Sequence, residues 1–118
     1  MTASAGFAEL LREHLAPLGG LSLRRMFGCT GLFSHGTMFG LVQHDVLFLR
    51  VDAGNRAAFE AEGGIPFTYR RAGEVTALAY WTAPESLLDE PEALRRWARG
   101  ALAAAHRVAA TRPAVRRR

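Results

Sequence analysis

Three side chains in the middle of the sequence are of the types that hold a metal ion or act as a nucleophile. They are Cys29, His35 and His44, and Cys29 is the single cysteine of the 118-residue chain. Their spacing matches no standard zinc pattern. A nucleophilic cysteine needs a base beside it, and His35 would approach Cys29 only if the chain bent sharply between Gly28 and Gly31. We therefore predict an inert thiol, no metal, no cofactor and no catalytic residue.

A better candidate for function is a short basic and apolar segment, residues 24–27. Arg24 and Arg25 form the one charged pair within the region predicted to be a sheet, and Met26 and Phe27 follow directly. Together they could anchor an acidic partner or ligand. The alternative role of the arginines is to keep an edge strand from aggregating, and that of the Met-Phe pair is to fill the core. The sequence leaves these alternatives open.

A second candidate is the basic C-terminus. The chain has a net charge of +4 from fifteen basic and eleven acidic residues, and the excess lies in Arg112, Arg116, Arg117 and Arg118. All the basic residues are arginine. We predict that residues 112–118 form a disordered tail, in which these arginines contact nucleic acid weakly and without sequence specificity.

The helices that frame these candidates are predicted from apolar side chains at helical spacing. One such stripe covers residues 7–18, with Ser4 as a candidate N-cap and Gly19-Gly20 as the stop. A longer one covers residues 94–109. Within it, Trp97 is the side chain expected to be buried against the sheet and to anchor the helix.

The strands are predicted from β-branched and aromatic runs separated by polar or glycine-rich turns. Residues 24–51 are interpreted as a three-stranded antiparallel meander, whose first strand begins at Leu21 and bends at Gly28 and Gly31. Asp52 is expected to cap a short helix, and two further strands follow near residues 67–69 and 75–81. The order α-β(3)-α-β(2)-α predicts a two-layer α+β domain with an antiparallel sheet, covering residues 1–111.

Composition limits the class of protein. A hydrophobic content of 49% and a mean hydropathy of +0.01 are typical of a globular domain. No apolar run reaches the ~18 residues that a transmembrane helix needs. We expect no secretory signal, and one cysteine suits a reducing cytoplasm.

Several motifs resemble the N-terminal domain of the TfoX/Sxy competence-regulator family, over roughly residues 7–106. The motifs are Arg25-Met26-Phe27-Gly28, Gly31-Leu32-Phe33, Met38-Phe39-Gly40-Leu41-Val42, Leu47-Phe48-Leu49-Arg50-Val51-Asp52, Pro66-Phe67-Thr68-Tyr69 and the strand containing Tyr80 before Pro84. The resemblance implies a fold like that of secretion-chaperone-type domains, the same strand order and a cytoplasmic bacterial protein. Founding members help to switch on natural-competence genes and carry a second, C-terminal domain.

The resemblance and the lack of convergent polar residues together predict a non-catalytic regulatory or protein-interaction domain with a link to transcription. Two alternatives remain open: a nucleic-acid-associated protein that uses its arginine-rich tail, and a small-molecule-binding or enzymatic domain with a pocket between sheet and helices. We expect a protein partner and no membrane association. The sequence does not decide whether the chain forms a homodimer.

Overall fold

Six strands and three α-helices follow one another in the part of the chain that the structure, a computed structural model, describes: residues 3–26 and 28–110. In chain order the elements are α1 (Ala5–Leu15), β1 (Leu21–Met26), β2 (Cys29–Ser34), β3 (Thr37–Gln43), β4 (Val46–Arg50), α2 (Arg56–Ala61), β5 (Pro66–Arg71), β6 (Glu74–Thr82) and α3 (Pro91–Ala110). Short 3₁₀ turns follow α1 and precede α3 at Ala16–Leu18 and Glu85–Asp89.

The strands form a single antiparallel sheet with the spatial order β1-β2-β3-β4-β6-β5. The predicted α+β class is confirmed, but the sheet has four strands before α2 where the sequence predicted three. The segment interpreted as one bent strand is a tight hairpin, in which Met26 of β1 pairs with Cys29 of β2. Gly28 has a φ of +78°, a left-handed backbone conformation that glycine adopts without strain. That conformation reverses the chain where a bend was expected.

A β-bulge lies in the next hairpin, which joins β2 and β3. Leu32 pairs with Gly40 and Phe33 with Met38, so Phe39 is an additional residue on β3. Phe39 is fully buried in the core between the sheet and the helices. A Cβ atom at Gly40 would lie 2.9 Å from the backbone oxygen of Phe48, so this close approach of strands requires glycine.

The helices pack on one face of the sheet. Ser4 caps α1 as predicted, because its hydroxyl accepts a hydrogen bond from the Phe7 N–H. α3 presents a stripe of small residues around one leucine to β3 and β4. The buried residues of α3 are Leu94, Ala98, Ala101 and Ala104.

Trp97 differs from its predicted role. The sequence predicted that it is buried against the sheet, whereas it is partly buried and packs at the side of the core. Its ring meets the Phe59 ring of α2 edge-on, with centroids 4.8 Å apart and planes at 79°. Leu94, with no exposed surface, is therefore the residue that anchors α3 in the core, and Trp97 joins α3 to α2.

Asp52 also has a different role from the predicted N-cap, since α2 begins only at Arg56. The Asp52 carboxylate accepts a hydrogen bond from the Gly54 N–H at 2.8 Å. It also accepts two from the Arg107 guanidinium, at 2.6 and 2.7 Å. This bidentate pair connects the last turns of α3 to the loop after β4. Arg107 is thus held in a specific contact.

The Asp52–Arg107 pair predicts a dependence of stability on pH. The hydrogen bonds from Arg107 lower the pKa of Asp52 from 3.8 to about 2. Because the folded carboxyl holds its proton more weakly than the unfolded one, its stabilising contribution is complete above pH ~4 and is lost as the pH falls towards 2. In urea unfolding, the stability difference between the wild-type domain and Asp52→Asn should narrow over that range. Glu9→Gln on α1 is the control, and a difference that stays constant down to pH 2 would contradict the prediction.

Candidate interaction surface

The face of the sheet opposite the helices carries its own apolar cluster. Side chains alternate along a strand, so Leu47 and Leu49 of β4 point towards the helices while Phe48 between them points the other way. We call this second side the open face, because the hydrophobic residues of α1 and α3 that pack into a core all belong to the first cluster. The buried residues of the open face are Cys29, Leu41, Phe48, Phe67 and Tyr80.

The cluster is well packed although it lies on the side away from the helices. The Phe48 and Phe67 rings meet edge-on at 5.1 Å, which joins the centre of the sheet to edge strand β5. Gly31 leaves room for the Met26 and Phe33 side chains, since a Cβ atom there would lie 2.8 Å from the Met26 sulfur and 2.9 Å from a ring carbon of Phe33. Three partly buried side chains surround the cluster and form its apolar rim: Met26, Met38 and Leu78.

Two arginines lie over the aromatic rings of the open face. The Arg24 guanidinium sits 4.5 Å from the centroid of Phe33, and that of Arg50 sits 5.4 Å from the centroid of Tyr80. The ion pairs found within residues 3–26 and 28–110 involve other arginines, so neither of these two meets a carboxylate there. Among the described residues, the buried Nε atom of Arg50 has no hydrogen-bond partner. A buried N–H of a charged group without an acceptor is costly, so Arg50 is an unsatisfied donor at the edge of the aromatic cluster.

The charges of the domain are separated between the sheet and the rest. The six strands carry five arginines and a single acid, Glu74, at the end of β6. The helices and connections of the described chain carry six arginines and all ten remaining acids. The strands therefore carry an excess of positive charge and the helices and connections an excess of negative charge, although the two totals balance.

The structure places the residues of the predicted segment 24–27 on different sides of the sheet. Arg24 and Met26 lie on the open face. Arg25 lies on the other side of the strand, together with Leu21 and Leu23, which pack towards the helices. Arg25 is exposed on edge strand β1, which fits its alternative role in protecting an edge. Phe27 lies outside the described residues, and so does the tail with Arg112, Arg116, Arg117 and Arg118. The functional roles of all these residues stay predictions.

Sequence reasoning missed Arg50, Phe48 and Tyr80 as members of this surface. The sequence did contain a signal for a second apolar cluster. The residues of β4 that point to either side of the sheet are apolar, and such strands are covered on both sides. The alternation alone did not show which side lacked a helix. It also gave no sign that Arg50 would be left without an acceptor.

The side chains first considered for chemistry do not converge. Cys29 Sγ donates a hydrogen bond to the Met26 carbonyl at 3.2 Å, and burial raises the pKa of the thiol. His35 lies beyond the far end of β2, about 20 Å from Cys29 along the strand. Within the described ranges, no three His, Cys, Asp or Glu side chains come close enough to hold a metal ion.

Two surface depressions lie away from the open face. One of about 580 Å³ is at the start of α3, and one of about 210 Å³ is between the β3–β4 turn and the residues after β6. Neither is lined by a residue of the open-face cluster. No α-helix in the described portion is both long and apolar enough to cross a membrane.

Comparison with known proteins places this chain in a family. The TfoX N-terminal domain family matches residues 13–105, which include every residue of the open-face cluster as well as Arg24 and Arg50. Protein Sxy of Escherichia coli (strain K12) is 30% identical over 101 residues, covering 86% of this chain and 48% of Sxy. The chain thus spans about half the length of that relative. On the extent of the family match, this chain belongs to the TfoX N-terminal domain family.

Proposed function

We propose that this domain is a non-catalytic regulatory module that binds another protein through the open face of its sheet. The observation that carries the proposal is the pair Arg24 and Arg50, which lie over aromatic rings on the side away from the helices and form none of the ion pairs found among the described residues. Protein interfaces are enriched in arginine, aromatic residues and methionine, the residue types found here.

The lack of enzymatic activity is part of the proposal and is supported by the state of Cys29. A buried thiol with a raised pKa is a poor nucleophile, and His35, the base considered from the sequence, lies about 20 Å away along the strand. The thiol also supports a cytoplasmic location, because a reducing compartment keeps cysteines unpaired. A link to transcription is supported by the resemblance to competence regulators alone.

The proposed binding face is tested with two glutamate substitutions. Met38→Glu places a charge on the apolar rim, and Ala103→Glu places one on an exposed position of α3. Proteins captured from host lysate by the wild-type domain and by Ala103→Glu should be lost with Met38→Glu, because a partner would have to bury an unpaired carboxylate. Circular dichroism and thermal melting should show both variants folded.

A partner that Met38→Glu retains as well as the wild-type domain does would show that binding uses another surface. Capture of no protein by the wild-type domain would count against an interaction domain altogether. Turnover of a small molecule by the purified domain, abolished by Cys29→Ser, would replace the proposal with an enzymatic function.

A further inference from the structure

We infer that the partner of the open face is an acidic protein segment, whose apolar side chains pack on the rim while its carboxylates pair with Arg24 and Arg50. This inference rests on the proposed function and adds the chemistry of the partner. The occupant is a part of another protein, neither a second copy of this chain nor a nucleic acid.

The first support is the unsatisfied donor. Arg50 is held by its pairing opposite Tyr80 across β4 and β6, with its guanidinium over the Tyr80 ring. Its Nε is buried and has no acceptor in the described structure. A guanidinium presents paired N–H groups whose geometry matches a carboxylate. The buried Nε itself is out of a partner's reach, so a partner's carboxylate would pair with the two terminal nitrogens of the Arg50 guanidinium, at the edge of the aromatic cluster.

The second support is the spacing of the two arginines. Arg24 is level with Gly31, Leu41 and Phe48 through the strand pairings. Arg50 lies two residues farther along β4 and three strand spacings from β1, which places the two Cα atoms roughly 15 Å apart. One carboxylate cannot serve both positions. A helix covers that distance in about ten residues and an extended chain in about five, so one short segment carrying two or more acids fits.

The third support is the charge of the surface, which argues against a second copy. A two-fold contact would place the open face against its own copy and bring the arginines of the two copies into one interface. Like charges brought together at an interface are unfavourable. With Arg24 and Arg50 over its rings, the open face favours an occupant of opposite sign.

Nucleic acid is the other polyanion, and the aromatic rings argue against it. Single strands bind by stacking bases on exposed ring faces. Here Phe33, Phe48 and Tyr80 are only 7–9% exposed, and arginine side chains already cover two of these three. Tyr69 on edge strand β5 is 38% exposed, but a single ring does not stack successive bases. The rim of Met26, Met38 and Leu78 offers contacts for apolar side chains, which a phosphate backbone lacks.

The test is a selection from a phage library of random 15-residue peptides on the immobilised wild-type domain. The Arg24→Gln, Arg50→Gln double variant serves for counter-selection. We expect enriched peptides that combine leucine, phenylalanine or methionine with at least two aspartates or glutamates. One of them, synthesised with a fluorescent label, should bind the wild-type domain and lose about tenfold or more in affinity with Arg50→Gln. Arg96→Gln, which removes an exposed charge on α3, should bind as the wild type does.

Three results would overturn the inference: no enrichment, enrichment of neutral or basic peptides, or equal affinity for Arg50→Gln and the wild type. Tighter binding of a labelled single-stranded oligonucleotide, sensitive to Arg24→Gln, would assign the face to nucleic acid. Concentration-dependent dimerisation abolished by Met38→Glu would assign it to a second copy.

If Met38→Glu still loses a host partner while no acidic peptide is selected, the proposed function stands and the acidic inference fails. Circular dichroism confirms that each variant is folded.

Discussion

Replacing Phe39 by alanine is expected to lower the free energy of unfolding by about 3–5 kcal/mol, the range for truncating a core aromatic residue. The bulge on β3 directs this additional residue into the core, where it has no exposed surface. It lies in the same cluster as Leu11 of α1 and Leu94 of α3. Truncation would therefore leave a cavity between the sheet and both long helices. Chemical denaturation monitored by circular dichroism gives the value.

Val46→Ala is the matched control for Phe39→Ala. Val46 is also a strand residue with a large apolar side chain, but 42% of its surface is exposed. Its truncation should cost less than about 1 kcal/mol, because it leaves no enclosed cavity. A loss below 1 kcal/mol for Phe39→Ala would show that the bulge does not direct this ring into the core.

Replacing Phe59 by alanine should have an effect of similar size, about 3–5 kcal/mol. Phe59 is 1% exposed and is the buried residue of the short helix α2. Its ring is also the edge-on partner of Trp97, so part of the loss comes from the aromatic pair. A double-mutant cycle with Trp97→Ala should give a coupling energy of about 0.5–1.5 kcal/mol.

The same cycle separates the two roles of Trp97. If Trp97 joins α3 to α2, its truncation should cost much less once Phe59 has been removed. Additive losses would mean that Trp97 acts by burial against the sheet, as its place in the helical stripe first suggested. Leu94→Ala provides the reference, since this residue anchors α3 without contributing an aromatic ring.

Local sequence patterns were enough to predict the helices at the two ends of the domain and the cap of the first one. The first and last helices follow from apolar residues at helical spacing, and the Ser4 cap follows from a hydroxyl placed before the first turn. The α+β class follows from the order of these patterns, and the TfoX family from its motifs. Each of these features depends on residues close together in the chain, so the pattern is readable before the chain folds.

Turns and bulges were harder to predict, because a single residue decides whether a strand bends, bulges or reverses. Gly28 was identified as a place where the strand changes direction, but glycine permits both a bend and a full reversal. The pairing of Met26 with Cys29 decides between the two, and that pairing is stabilised by the rest of the sheet. The strand count was wrong for this reason, while the fold class was right.

The open face could not be predicted from local sequence patterns, because it forms only when distant strands pair and the helices pack on the other side. Arg24 was singled out from its neighbours, but Arg50 lies on a strand three positions away in the sheet, and nothing local connects them. Strand alternation gives two faces without saying which one the helices cover. Packing of α1 and α3 on one face leaves Phe48, Tyr80 and the unsatisfied Arg50 on the other. Which face is covered, and which donor lacks an acceptor, depends on contacts between residues far apart in the chain, and local spacing does not encode those contacts.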